Sequence, residues 1–253
     1  RQCEIFERSG VEIPQSTITG WTGQAIRTLQ PLAEAIKAYV LSAGRLHTDD
    51  TVVPVQDHKN RKGKTKEGRL WVYVRDDAAH GGKDPPAVAY YYSPNRKGVH
   101  PQTHLKDFNG ILQADAYAGY NALYKPDPIT GAIRVREAAC WAHLRRDFYD
   151  VYKTLSSPVA REALERIGEF YDIEREILGK PPEVRLAVRQ KESKPRVDAM
   201  KAWFEEQRKD LPPKGDLAKA FDYGLNRWSA FSLFLEDGTV AIDNNAAERK
   251  IRP

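Results

Sequence analysis

Between Arg45 and Tyr92 three runs rich in β-branched and aromatic residues follow one another, joined by polar links. Leu46 to Val55, Leu70 to Val74 and Ala87 to Tyr92 each have the make-up of a strand. A polar stretch, His58 to Gly68, separates the first two, and Gly81-Gly82 with Pro85-Pro86 marks the turn before the third. Strands this close in sequence predict an antiparallel meander, because parallel neighbours need a longer crossover. A short helix over Pro101 to Phe108 then leads to Gly110-Ile111-Leu112-Gln113-Ala114-Asp115, an apolar strand ending in an acid. A last strand, Ile133 to Ala139, runs into Trp141-Ala142-His143-Leu144-Arg145-Arg146-Asp147-Phe148.

The flanks read differently. Residues 1–43 are helical in pattern, with Pro31 in the first turn of a helix whose apolar stripe is Leu32, Ala35, Ile36, Tyr39 and Val40. This segment is either the tail of a helix-turn-helix unit or a helical lead-in packed on the core. Residues 149–236 predict an all-helical insertion: Ala160 to Leu178, Val184 to Gln207 with a kink or split at Pro195, and Asp216 to Phe234, punctuated by Pro181-Pro182 and Pro212-Pro213. Residues 237–253 return to the core through an extended Gly238 to Ile242, and Asp243-Asn244-Asn245 caps a final helix. Three antiparallel strands, a helix, a strand, then another strand and helix is the order of an RNase H-like (retroviral integrase-like) fold. That fold is an α/β mixed sheet with helices on both faces; here 44–148 supplies its first part and 149–236 interrupts it.

Composition sets bounds on function. Of 253 residues, 41% are hydrophobic and 30% charged, as in ordinary globular domains. No apolar run approaches the roughly 18 residues that span a bilayer, and Arg1 to Ser9 has no apolar signal-peptide core. Two cysteines, Cys3 and Cys140, cannot build a disulfide framework, which fits a reducing, cytoplasmic setting. The net charge of +5 hints at a polyanionic partner. The first residue is Arg rather than Met, and the expectation is a piece of a longer chain.

Three acids occupy special places: Asp49 on the first strand, Asp115 at the end of the fourth, and Glu248 in the first turn of the last helix. Converging carboxylates are hard donors of the kind that suit Mg²⁺. Two such ions roughly 3.5–4 Å apart would clamp the attacking and leaving oxygens of an in-line displacement at phosphorus. Mutual repulsion would then raise at least one carboxyl pKa. Each acid also has a plainer reading. Asp49 and Asp50 point to opposite sheet faces, and either is the solvated one. Asp115 is placed to cap the turn before Tyr120. Asn245-Ala246-Ala247-Glu248 has the form of a capping box, and Asp243 is a further candidate for the third acid.

Four stretches carry a resemblance that bears on these alternatives: Leu46 to Thr51, Leu112 to Tyr120, Cys140 to Phe148 and Ile242 to Arg249. In this order, and with Arg1-Gln2 and Ser16 to Trp21 ahead of them, they resemble the DDE transposases of the insertion sequence 66 family over nearly the whole chain. The resemblance implies that Asp49, Asp115 and Glu248 are the catalytic acids and metal ligands, with two Mg²⁺ ions as cofactor and Mn²⁺ as substitute. It implies cleavage at transposon ends followed by strand transfer of the freed 3′-hydroxyl into target DNA. Double-stranded DNA, both ends and target, would be the partner, in a homo-oligomeric synaptic complex in the prokaryotic cytoplasm, at the nucleoid. The alternatives are an RNase H-like nuclease without strand transfer and a non-catalytic DNA-binding remnant. The family's first motif usually reads Asp-Glu-Thr; here it is Asp-Asp-Thr, a departure that touches Asp50 and not Asp49. The second and third acids are 133 positions apart (248 minus 115), a separation that the helical insertion accounts for. Full-length members carry an upstream DNA-binding region with a zinc-binding segment, and further sequence downstream.

Basic residues supply candidates for DNA contact. His143, Arg145 and Arg146 would meet phosphates or the scissile group, the alternative being a solvated helix face. Lys59, Arg61, Lys62, Lys64, Lys66 and Arg69 form the densest basic run, either a backbone-tracking hairpin tip or a solvated loop. Arg249 and Arg252 follow Glu248 toward the same DNA. Cys140 and His143 have no second ligand pair, so no structural zinc site is expected, and Cys140 is expected to be buried. Trp203, Trp228 and Phe231 read as core of the insertion rather than stacking platforms.

Overall fold

The computed structural model describes residues 1–56 and 65–251. Lys59, Arg61, Lys62, Lys64 and Arg252 therefore lie outside the described residues. The chain divides into two compact units, Arg1–Tyr39 and Val40–Pro253. The first unit holds α1 (Gln2–Arg8) and most of α2 (Gln15–Leu41). Pro31 does not begin a helix: it lies inside the single 27-residue α2. Proline removes one backbone donor there, and α2 continues past it. Leu32 and Ile36, expected in an apolar stripe, are exposed, whereas Val40 is buried.

The second unit is built on five strands: β1 (Arg45–Gln56), β2 (Thr65–Arg75), β3 (Ala87–Ser93), β4 (Gly110–Gln113) and β5 (Val135–Ala138). Helix α3 (Val99–His104) precedes β4. The strand order is β3-β2-β1-β4-β5. The first three strands form the expected antiparallel meander, and β4 and β5 add in parallel. The β1–β2 hairpin is longer than the sequence suggests, since Thr65 to Gly68 pair with Val53 to Gln56. Pro54 is tolerated in β1 because β4 pairs with that strand only over Arg45 to His47, so the edge beyond demands no ladder donor. At the start of β4, Gly110 takes φ +153°, and a Cβ there would lie 2.2 Å from the Gly44 carbonyl oxygen. Only glycine allows that approach.

Strand alternation sorts the sheet into two faces. Leu46, Trp71, Tyr73, Ala89, Leu112 and Val135 pack with Val40, Leu105, Phe108 and Tyr120 on one face. Residues one place along point to the other: Ile111 and Ala138 join the helical core, and Val72 and Val74 pack with Ala247. That second face is covered by α4 (Trp141–Leu155) and α10 (Asn245–Ile251).

Between them run α5 (Pro158–Glu176), α6 (Pro182–Val188), α7 (Lys194–Lys209), α8 (Asp216–Asn226) and α9 (Trp228–Ser232). Ser157 caps α5 by accepting from the Ala160 amide, with Pro158 in the first turn. α4 is unbroken through 149. Pro195 sits in the first turn of α7, and a π-helical turn over Arg189–Ser193 joins it to α6. Trp228 and Phe231 are buried in this helical core with Trp141, Phe148, Phe204 and Phe221, and Trp203 packs against it. Each large side chain buried here contributes roughly 1.5–3 kcal/mol relative to exposure.

Two buried guanidiniums tie the helices to the segment that leads back to the sheet. Arg189 grips both Glu174 oxygens at 2.6 and 2.7 Å and donates to the carbonyls of Phe234 and Asp237. Arg185 reaches Glu174 at 3.2 Å and the carbonyls of Gly238 and Ala79. Gly238 to Ile242 is not a strand but an irregular strap. It is held by Gln113 Nε2 donating to Ala241 O at 2.6 Å and the Trp141 amide donating to Ile242 O at 3.1 Å.

Candidate active site

The pairing register decides between Asp49 and Asp50. Asp49 stands opposite Val72 and Asp50 opposite Trp71, so Asp49 shares the face of Val72, Ala247 and α10. Asp50 points to the other face, where its side chain is 1% exposed and receives Arg69 at 3.1 Å and Arg96 at 2.9 Å. It is a paired structural acid, not the solvated neighbour that alternation alone allowed.

Asp115 follows from the parallel ladder. Arg45, Leu46 and His47 pair with Ile111, Leu112 and Gln113. Continued two places past the end of β4, that register sets Asp115 level with Asp49, and the charge of Asp115 acts on the Asp49 carboxyl. One of its oxygens accepts from the Tyr117 amide at 3.2 Å, the turn-capping bond expected of it. The other lies 3.6 Å from Arg96. Arg96 thus bridges Asp50 and Asp115 and stacks 4.2 Å over the Tyr117 ring.

Glu248 is brought in by α10, whose Ala247 packs on Val72 and Val74. The first helical bond runs from the Glu248 amide to Asn244 O, which makes Asn244 the cap and Glu248 the fourth helical residue. A capping box needs its acid at the third, so that reading lapses. The Glu248 carboxylate, 7% exposed as a residue, lies 3.8 Å from His143 Nδ1 and 3.6 Å from Arg146. His143 and Arg146, three apart on α4, share the face turned to it.

Electrostatics ties the three acids together. Burial first, and then the charges of Asp115, Asp50 and Glu248, push the Asp49 carboxyl up from 3.8 to about 7 against the opposing bond from the Asp50 amide. Asp243 accepts the Asn245 amide at 3.0 Å, beginning α10. Three carboxylates within electrostatic reach, one with its pKa raised to about 7, are a donor set of hard oxygens fitting divalent cations of the Mg²⁺ type.

Residues with no motif to mark them hold this arrangement. Arg45 donates to His47 Nε2 at 2.7 Å, so the neutral ring carries its proton on Nδ1 and donates to Asn244 Oδ1 at 3.2 Å. Burial, then Arg45, drives the His47 pKa down to about 3. Asn244 Nδ2 then donates to Thr48 O at 2.7 Å. This chain pins the cap of α10 to the strand that carries Asp49. Asn244 and Arg96 escaped the sequence reading. The run Asp243-Asn244-Asn245 offered a signal for the first, since one cap needs one such residue.

Of the basic candidates, His143 and Arg146 face Glu248. Arg145 and Arg146 line an open groove of about 580 Å³ between α4 and α5, together with Tyr149, Tyr171 and Arg175. Arg249 lines a neighbouring cavity of about 240 Å³ with His47, Arg185 and Asp243. Lys66 and Arg69 lie on β2, and Arg69 is committed to Asp50. Cys140 is fully buried, as expected. No helix of the described residues is long and apolar enough to cross a membrane.

Three proteins of Sinorhizobium fredii match the whole chain. They are the uncharacterised proteins y4hP at 41% identity, y4qI at 37% and y4jD at 35%, of which the match covers 47%, 47% and 49% respectively. The chain thus spans about half the length of these relatives. The profile of the family described as "Transposase IS66 family" matches residues 1–253, and the chain belongs to that family.

Proposed function

We propose that this chain is the catalytic part of a DDE transposase on an RNase H-like sheet, with Asp49, Asp115 and Glu248 as the metal-binding acids. The observation that carries the proposal is electrostatic: Asp115, just past the end of the strand parallel to β1, and Glu248 on α10 both act on the Asp49 carboxyl. The order β3-β2-β1-β4-β5, with β2 and β3 antiparallel to β1 and β4 and β5 parallel to it, supports the fold assignment. Family membership supports the substrate, double-stranded DNA.

Two Mg²⁺ ions, or Mn²⁺ in their place, would activate the attacking water or 3′-hydroxyl and stabilise the leaving oxygen. Asp49 and Asp115 would hold them from the strand ends and Glu248 from α10. Asp49 would have to release its proton to solvent to serve as a ligand, and the cations would offset the carboxylate repulsion. His143 and Arg146 orient Glu248 and offer donors to the phosphate beside it. Arg145, Arg175 and Arg249 supply positive charge along the groove and cavity next to the acids, suited to a salt-dependent grip on the backbone. Lys59, Arg61, Lys62, Lys64 and Arg252 stay candidates for the same grip. The active assembly is proposed as a homo-oligomer that pairs two ends, in the prokaryotic cytoplasm.

The test is cleavage and joining. Linear duplexes bearing the terminal sequences of the encoding element, with Mg²⁺ and a target plasmid, should give nicked ends and joined product. Asp115→Asn and Glu248→Gln should each lower both by roughly 10²–10³-fold or more, as for loss of a transition-state charge stabiliser. Cleavage without joining would replace strand transfer by a nuclease activity, and equal cleavage by wild type and Asp115→Asn would sink the metal assignment.

A further inference from the structure

We infer that Cys140, His143 and Glu248 form a second, thiophilic metal site that takes Zn²⁺ and draws Glu248 away from the other two acids. The sequence argued against zinc because Cys140 and His143 lack a partner pair. The fold supplies the third ligand from α10, more than 100 residues downstream. Ligand atoms of the three residues all lie within 4.8 Å of one another. Bonds of about 2.3 Å to sulfur and 2.0–2.2 Å to nitrogen and oxygen put tetrahedral ligand atoms roughly 3.3–3.8 Å apart. His143 Nδ1 and the nearer Glu248 oxygen already stand at 3.8 Å, so a small side-chain rotation closes the set. Water would take the fourth position, as in other three-ligand zinc centres.

The surroundings of the sulfur suit a metal thiolate. Cys140 is the N-cap of the 15-residue α4, where the helix dipole favours negative charge. The Asn244 amide donates to Sγ at 3.2 Å, and the Ala142 and His143 amides also stabilise its charged form. Outer hydrogen bonds of this kind orient and hold metal ligands. Burial keeps the free thiol protonated at neutral pH. Binding therefore forms an S–Zn bond, breaks the S–H bond and releases one proton to solvent. The half-buried His143 is the way in. Hard Mg²⁺ has no use for sulfur, so the two ions select different ligand sets that share one carboxylate. The inhibitory consequence rests on the proposed role of Glu248; the binding itself does not.

Co²⁺ is the probe, since thiolate ligation gives it a charge-transfer band and tetrahedral geometry gives it strong visible bands. The whole chain carrying Cys3→Ser leaves Cys140 as the one thiol. One equivalent of Co²⁺ should produce the band, and Zn²⁺ should displace it. Cys140→Ser should abolish it while circular dichroism and Tm report the fold. Glu248→Gln and His143→Ala should each weaken binding by more than the roughly 10–100-fold lost with an outer-shell partner. A folded Cys3→Ser protein that shows no band overturns the site, and so does a band that survives Cys140→Ser or is indifferent to Glu248→Gln. In the cleavage assay, micromolar Zn²⁺ added to Mg²⁺ should inhibit wild type but not Cys140→Ser, each relative to its own zinc-free rate. Equal inhibition of both would overturn the sharing of Glu248. A cobalt band in a chain inactive on DNA would leave this site standing and remove the transposase reading.

Discussion

Replacing Asp49 by asparagine should stabilise the metal-free protein, against the general tendency of buried polar substitutions to destabilise. Folding moves this carboxyl from 3.8 to about 7, chiefly by burial and then by the charges of Asp115, Asp50 and Glu248. A raised folded-state pKa contributes stability that is fully present below about 4 and is lost as pH rises through about 7. Some three pKa units at 1.36 kcal/mol each give roughly 4 kcal/mol as the upper cost of ionising Asp49 in the native site. Asparagine is nearly isosteric, carries no charge, and its Oδ1 can still accept the Asp50 amide bond that Asp49 Oδ1 accepts at 2.7 Å. Asp49→Asn should therefore match wild type below about pH 4 and exceed it progressively toward pH 8. For a unit of this size the gain corresponds to Tm rising by on the order of 10 °C. Thermal and denaturant unfolding in EDTA across that pH range measure it. Added Mg²⁺ should narrow the gap, because an ion binding only the native wild-type site at a hundred times its Kd adds about 2.7 kcal/mol. A stability difference independent of pH, or a variant less stable than wild type at pH 8, refutes the raised pKa of the buried Asp49 carboxyl.

Neighbouring residues should respond in other ways. Asp50→Asn strips Arg69 and Arg96 of their carboxylate and should cost about 1.5–3 kcal/mol in urea unfolding, the opposite sign to its neighbour. Glu174→Ala leaves Arg185 and Arg189 buried without the carboxylate that bridges them and should cost roughly 3–5 kcal/mol by the same measurement. Asn244→Ala strands the His47 Nδ1–H and the Thr48 carbonyl. It should cost roughly 1–3 kcal/mol per stranded group, and Mg²⁺-dependent cleavage should fall further than that loss of stability explains at a temperature where the variant stays folded.

How far the sequence reveals this site depends on the range of the forces involved. Strand existence, the meander and the position of Asp115 past a strand end are local consequences of β-branched runs and turn residues, and they read off directly. Extending β2 back to Thr65 does not, because pairing with Val53 to Gln56 overrides the polarity of those residues. Pro31 misleads for a similar reason: proline marks helix starts on average, yet α2 accommodates one lost donor mid-helix. The choice between Asp49 and Asp50 was undecidable from alternation alone. It needed the register that sets Asp49 opposite Val72, and Val72 under Ala247. Glu248 as a capping-box acid was a one-residue error in the cap, caused by three consecutive good capping residues. The cluster of Cys140, His143 and Glu248 was invisible because its third member comes from beyond the helical insertion.

Glu248, the third acid of the proposed site, is held from outside its own helix. In a protein a helix is held chiefly by its tertiary contacts rather than by its own propensity. The position of α10 must come from its connections. Two are visible: Asn244 bonded to β1 beside Asp49, and the strap from Phe234 to Ile242, clamped by Arg185, Arg189, Gln113 and the Trp141 amide. The first ties Glu248 to the strand of the first acid. The second ties it to the helices that occupy the long gap between the second and third acids. The helical block therefore acts as a brace for the acid that follows it, not as a spacer. Shortening it would leave Asp49 and Asp115 in place on the sheet and release Glu248, so binding of the first ion should survive better than catalysis.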